Sequence, residues 1–315
     1  MTGPSDLSFR PRPDVAPRGA GGQPTRHLPT FFALAYALTW VVWIPAGLAD
    51  RGTITMGMPT FPLYVLGGFG PLAAAVILSA RHGGPGAVRA LFAQLHPRRV
   101  PGRWFLIPVL LVPLGLVPVG GFLAAGGELP GGQALLNIGF TFLAQLVIVA
   151  TIGGGLDEEM GWRGYALPRM LRTTHPVTAS IVIGLLWAPW HLPLWLDPTG
   201  THAAYPFWVF LVDTVARSVL IGWLYCASGG SLLIAIWAHA LANSADGVRY
   251  QILGDDKGDL VHQLTMVAAH LIAAAVVIAV TRGRLGADRL AGPSPASSIQ
   301  FSERLSYRST HSTTD

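Results

Sequence analysis

Charge is scarce in this sequence. Asp, Glu, Lys and Arg make up 12% of its 315 residues and apolar residues 51%, so the charged share is about half that of an ordinary soluble domain. That balance points to lipid as the solvent. Cysteine is scarcer still: the one thiol, Cys226, cannot form an intramolecular disulfide, so oxidative stapling within the chain is excluded. The chain does not open on a secretory signal peptide, because residues 1–27 are rich in Pro, Gly and Arg and have no apolar centre. They read as a disordered tail. Residues 283–315, polar and Ser-rich without a CaaX box, read as a second one. Neither an internal repeat nor a Pro/Gly linker divides what lies between, so residues 28–282 read as a single bundle.

That bundle is written in apolar runs: 31–49, 61–80, 104–125, 135–155, 178–196, 206–226, 232–248 and 261–281. Each approaches the roughly 20 residues a bilayer requires, which predicts an all-α membrane protein with about eight transmembrane helices. The run 232–248 is among the weakest. Residues 80–103 are too polar to span, and 87–95 are expected to form a short amphipathic helix on the membrane surface. Arginines sort the ends of the spans. Arg10, Arg12, Arg18 and Arg26 precede the first; Arg81, Arg89, Arg98, Arg99 and Arg103 lie between the second and third. Arg163, Arg169 and Arg172 follow the fourth and Arg282, Arg284 and Arg289 the eighth, whereas 126–134 contains no Lys or Arg. By the positive-inside rule both termini of this multi-pass chain face the cytoplasm. The net charge of +5 is accounted for by these arginines, which suit anionic lipid headgroups and carry no nucleic-acid motif.

A charged side chain at bilayer depth costs at least a few kcal/mol, so each one must be paired, solvated or useful. Glu158 and Glu159 close the fourth run, and helical continuation sets Glu159 and Arg163 at i and i+4, positioned to pair. Glu158 points about 100° away around the same helix, free for other work, and is the candidate general base. His191 stands near the end of the fifth span, with Trp187 one turn earlier forming an aromatic wall. His239 and Asn243 share one face of the seventh run, again at i and i+4. Singly, these groups read as a solvated cap and as hydrogen-bonded core histidines. Together, three helices offer a carboxylate to activate water, imidazoles to orient it or bind a metal, and an amide to stabilise an oxyanion. That is an inventory for amide hydrolysis. Asp213 and Arg217, at i and i+4 in the sixth span, read as a structural ion pair. His270 and Gln145 stand isolated, and His175, His202 and His262 fall in loops.

At these residues the sequence resembles the CPBP family of intramembrane proteases, which includes the CAAX prenyl endopeptidases and bacterial Abi-type proteins. Two glutamates, three residues and an arginine appear as Glu158, Glu159 and Arg163. An aromatic, three residues and a histidine appear as Trp187 and His191, with Trp where the family most often has Phe. The third motif is His239 and Asn243, and 67–71 looks like the family's second helix. The resemblance implies an intramembrane endopeptidase acting on a protein or peptide at the membrane. It further implies that Glu158 and His191 activate water while His239 and Asn243 stabilise the oxyanion. The family is also labelled metalloprotease, with Glu158, His191 and His239 as zinc ligands, and the sequence leaves zinc open. Neither His-Glu-x-x-His nor Gly-x-Ser-Gly occurs, which sets other protease types aside. The alternatives are a non-proteolytic scaffold or immunity protein and a proton-coupled transporter.

Overall fold

The computed structural model describes residues 25–96, 100–254 and 258–290. The expected tails fall mostly outside the described residues. Every regular element among those residues is helical: α1 (Leu28–Asp50), α2 (Phe61–Gly68), α3 (Gly70–Ala93), α4 (Arg103–Leu106), α5 (Leu111–Ala124), α6 (Gly132–Ile152), α7 (Gly155–Gly161), α8 (Leu167–Met170), α9 (Pro176–Trp190), α10 (Phe207–Ala227), α11 (Leu232–Leu253) and α12 (Leu260–Val280). A π-helical turn, Trp162–Ala166, joins α7 to α8. The chain is a multi-pass membrane protein, an all-α bundle.

Among the described residues, seven helical stretches, not eight, are long and apolar enough to cross a bilayer: Thr25–Asp50, Phe61–Ala93, Arg103–Ala124, Gly132–Met170, Pro176–Leu196, Phe207–Ala227 and Leu260–Val280. The one that drops out is α11. It is 22 residues long, but His239, Asn243, Asp246 and Arg249 make it too polar to count by composition. Its polarity is tolerated because its neighbours cover it, with α5, α6 and α10 packed along its length. In contrast, α6 turns Leu136, Phe140, Leu143 and Val147 outward, an apolar face suited to acyl chains.

Two boundaries differ from expectation. The surface helix expected at 87–95 is the second half of α3, which breaks at Gly84, where φ is +66°, and restarts at Pro85. It is anchored: Gln94 Nε2 donates to the Gly164 carbonyl at 3.1 Å and Gln94 Oε1 accepts from the Tyr225 hydroxyl at 3.0 Å. Packing also continues past residue 282. Leu285, Ala287 and Leu290 are buried, and Arg289 donates to the Ala227 carbonyl at 3.1 Å.

Close helix contacts follow from small residues. A Cβ at Gly184 on α9 would stand 2.7 Å from Val215 Cα on α10, so glycine there brings the two backbones together, the usual way helices associate in lipid.

Candidate active site

The three motifs meet in one cavity of about 440 Å³, lined by Glu158, Trp187, His191, His239 and Asn243 among others. Glu159 and Arg163 are fully buried behind its wall.

The carboxylates are placed by a break in the chain. α6 ends at Ile152, Gly153 caps it, and Gly154 takes φ of +119°, a conformation that L side chains rarely adopt. Asp157 Oδ1 then accepts the Gly154 N–H at 2.8 Å, the N3-to-N-cap half of a capping box. Glu158 and Glu159 therefore sit near the start of α7, where the helix dipole favours negative charge. The π-helical turn begins at Trp162; such turns are frequent at functional sites. A Cβ at Gly154 would stand 2.7 Å from His239 Nε2 and 3.1 Å from Glu158 Oε1. Gly154→Ala is expected to displace these groups and cut turnover by about 10²-fold, with the thermal midpoint checked alongside the initial rate. An unchanged rate would show that the two groups need not be held this closely.

Each glutamate has its own set of partners. Glu158 Oε2 accepts from the Trp187 indole N–H and, at 3.3 Å, from the Trp162 indole N–H. Its other oxygen, Oε1, lies 3.9 Å from His191 Nε2. His191 Nδ1 lies 3.0 Å from the Trp187 carbonyl; a carbonyl only accepts, so Nδ1 carries the proton and Nε2 presents a lone pair. Trp187 thus does more than wall the site: it holds both members of the pair. Glu159 Oε1 accepts from Arg163 Nη1 at 2.8 Å and meets His239 Nδ1 at 2.8 Å. That contact leaves His239 Nε2 for the cavity. Arg163 also donates to the Ser218 hydroxyl at 3.1 Å and lies over the Trp187 ring. Although it counts among the arginines used to orient the chain, Arg163 is an interior residue.

Of the trio Glu158, His191 and His239, the first two stand farther apart than a bound zinc ion would hold them. Tetrahedral zinc with bonds of about 2.0–2.1 Å holds its ligand atoms about 3.4 Å apart, less than the 3.9 Å between Glu158 Oε1 and His191 Nε2. No group of three His, Cys, Asp or Glu among the described residues converges on a metal position. A water molecule bridging two hydrogen bonds suits the observed gap.

One wall of the cavity is ionic. Arg217 Nε stands 2.7 Å from Asp213 Oδ2, as the i, i+4 spacing predicted, and Arg217 Nη1 stands 2.8 Å from Asp246 Oδ2. Asp246 also pairs with Arg249 at 3.3 Å. His270 is not isolated: its Nδ1 lies 2.7 Å from Asp213 Oδ1. Gln145 lines the cavity beside Gly247. His262 belongs to the first turn of α12, and His202 lines the cavity. Gly154, Asp157, Trp162 and Asp246 have no place among the site residues expected from the sequence, and His202 is expected there only as a loop residue. Trp162 was legible, being i+4 from Glu158, and so was Asp246, being i+7 from His239. His202 had no signal, since only folding brings its loop to His191.

Residues 140–245 match the profile of the family described as Type II CAAX prenyl endopeptidase Rce1-like. The chain is also similar to the CAAX prenyl protease 2 of Methanococcus maripaludis, 24% identical over 227 residues that cover 68% of this chain and 81% of the relative. The family match spans all three motifs, and the seven spans and the cavity agree with it. Over its three motifs the chain is similar to the CAAX prenyl endopeptidases, a group within the CPBP family of intramembrane proteases.

Proposed function

We propose that this protein is an intramembrane endopeptidase in which Glu158, without a metal, activates the attacking water. The observation that carries this reading is the gap of 3.9 Å between Glu158 Oε1 and His191 Nε2, with the other Glu158 oxygen clamped by two indole N–H groups. A water in that gap gives its proton to Glu158 while His191 Nε2 orients it. The hydroxide adds to the scissile carbonyl, and the oxyanion is stabilised by the His239 imidazole and the Asn243 amide. Glu159 accepts from His239 Nδ1–H and so supports the imidazolium form, which keeps its Nε2–H throughout the step and donates it to the oxyanion. Glu158 then delivers its proton to the departing amine, and the C–N bond breaks. Atoms and charges balance without a further reactant.

For substrate we take a tail ending in prenylated cysteine, two aliphatic residues and a terminal residue, the chemistry named in the family description and in the Methanococcus relative. The arginines that flank the spans support a topology with both termini on the cytoplasmic side. Comparing new protein termini in membranes from cells carrying the intact protein and cells carrying Glu158→Ala at equal abundance tests the activity and the substrate together. Cleaved termini that vanish with Glu158→Ala support the reading and define the cut site. Identical sets of termini speak for a non-proteolytic role. Stripping metal with a chelator is expected to leave turnover of the purified enzyme unchanged. A loss that zinc restores would make the metal part of the site.

A further inference from the structure

Most polar groups around the cavity are already committed to one another. The Trp162 and Trp187 indoles serve Glu158, His239 Nδ1 serves Glu159, and His191 Nδ1 meets the Trp187 carbonyl. Tyr64 donates to Asp50, and Arg217 spans Asp213 and Asp246. His202 is different. It sits in the strap between α9 and α10, in the short 3-10 turn Thr201–Ala204, and lines the cavity beside His191. Its ring stacks on His191 with centroids 5.8 Å apart, and Trp195 and Phe210 hold it edge to face at 5.0 and 5.3 Å. The strap is tied down: Arg51 donates to the Trp195 and Leu196 carbonyls, both at 3.2 Å, and the Trp195 indole donates to the Tyr205 carbonyl at 2.8 Å. The ring is therefore held in place, yet neither of its nitrogens hydrogen-bonds a described residue. A neutral imidazole offers one donor and one acceptor, the complement of a peptide unit.

We propose that His202 is a substrate-binding residue whose ring hydrogen-bonds the peptide backbone beside the scissile bond, on the His191 side of the cavity. The inference rests on the endopeptidase reading for its substrate. The ring anchors the extended chain at the point where the reacting carbonyl must be aligned.

The test uses the full-length protein in detergent and a fluorescent peptide ending in farnesyl-cysteine, two aliphatic residues and a terminal residue. His202→Phe keeps the aromatic packing and removes both nitrogens. It is expected to raise KM about tenfold, the worth of one hydrogen bond, with kcat nearly unchanged. His202→Gln, which restores a donor and an acceptor, is expected to recover most of that loss. In parallel, the dissociation constant of the same peptide is measured on Glu158→Gln with and without His202→Phe, and should rise by the same factor. Unchanged KM and dissociation constant overturn the proposal, as does a fall in kcat at constant KM, which would make His202 a support for the His191 ring. If the unaltered protein binds this peptide without cleaving it, the endopeptidase reading fails and the dissociation constants alone decide the role of His202. Failure of Glu158→Gln to bind the peptide overturns the proposal.

Discussion

Replacing Glu158 by Gln is expected to lower kcat by about 10³-fold or more, because the amide cannot take the proton from water. The substitution preserves volume and leaves the cavity shape unchanged, so binding of the farnesylated peptide should persist. Stability should not fall. Glu158 is buried, no Arg or Lys among the described residues forms an ion pair with it, and His191 Nε2 stands 3.9 Å from its carboxylate. A neutral side chain in its place removes a desolvated carboxylate from the interior, so the thermal midpoint is expected to hold or rise. That pairing of outcomes is what a group kept for chemistry predicts, since active sites trade stability for function. Turnover within about tenfold of the parent enzyme would instead point to water activation by another group, and Asp157, which also lines the cavity, would be examined next.

The second large effect concerns the pair behind the cavity. Arg163→Met is expected to destabilise the bundle by about 3–5 kcal/mol, because it leaves the Glu159 carboxylate buried without its cation. Both side chains are fully buried and 2.8 Å apart, so solvent cannot replace the lost partner. The double replacement Glu159→Leu with Arg163→Met is expected to recover most of that stability, since both charges are then gone. It should not recover activity. His239 Nδ1 would have lost the oxygen that it meets at 2.8 Å, and with it the fixed tautomer and the support for positive charge. Thermal unfolding of the three variants, read beside peptide cleavage, separates the two effects. If the double variant cleaves peptide at the parent rate, Glu159 has no part in positioning His239.

Much of the site was legible because it obeys helical spacing. Glu159 with Arg163 and Asp213 with Arg217 are i, i+4 pairs that the structure realises as contacts of 2.8 and 2.7 Å. Spacing along a helix is local, so it needs no knowledge of the partner helices. The eighth span illustrates the limit of the same reasoning. Composition places α11 below the seven apolar spans, yet it is the helix that carries His239, Asn243 and Asp246. Hydropathy weighs a segment against lipid, whereas α11 is covered by protein. His270 looked isolated for a related reason: its partner, Asp213, is 57 residues away in sequence.

The sequence by itself determined the solvent and the local pairs: low charge and repeated apolar runs require a bilayer, and helical periodicity sets which polar side chains share a face. Only the tertiary structure decided what those faces meet. It brought the Trp187 indole to Glu158 as a second donor, set His191 Nε2 at 3.9 Å from the other carboxylate oxygen, and laid His202 from a connecting strap against His191. These relations join residues on different elements. They arise from how helices and their connections pack, and no periodicity within one segment encodes them.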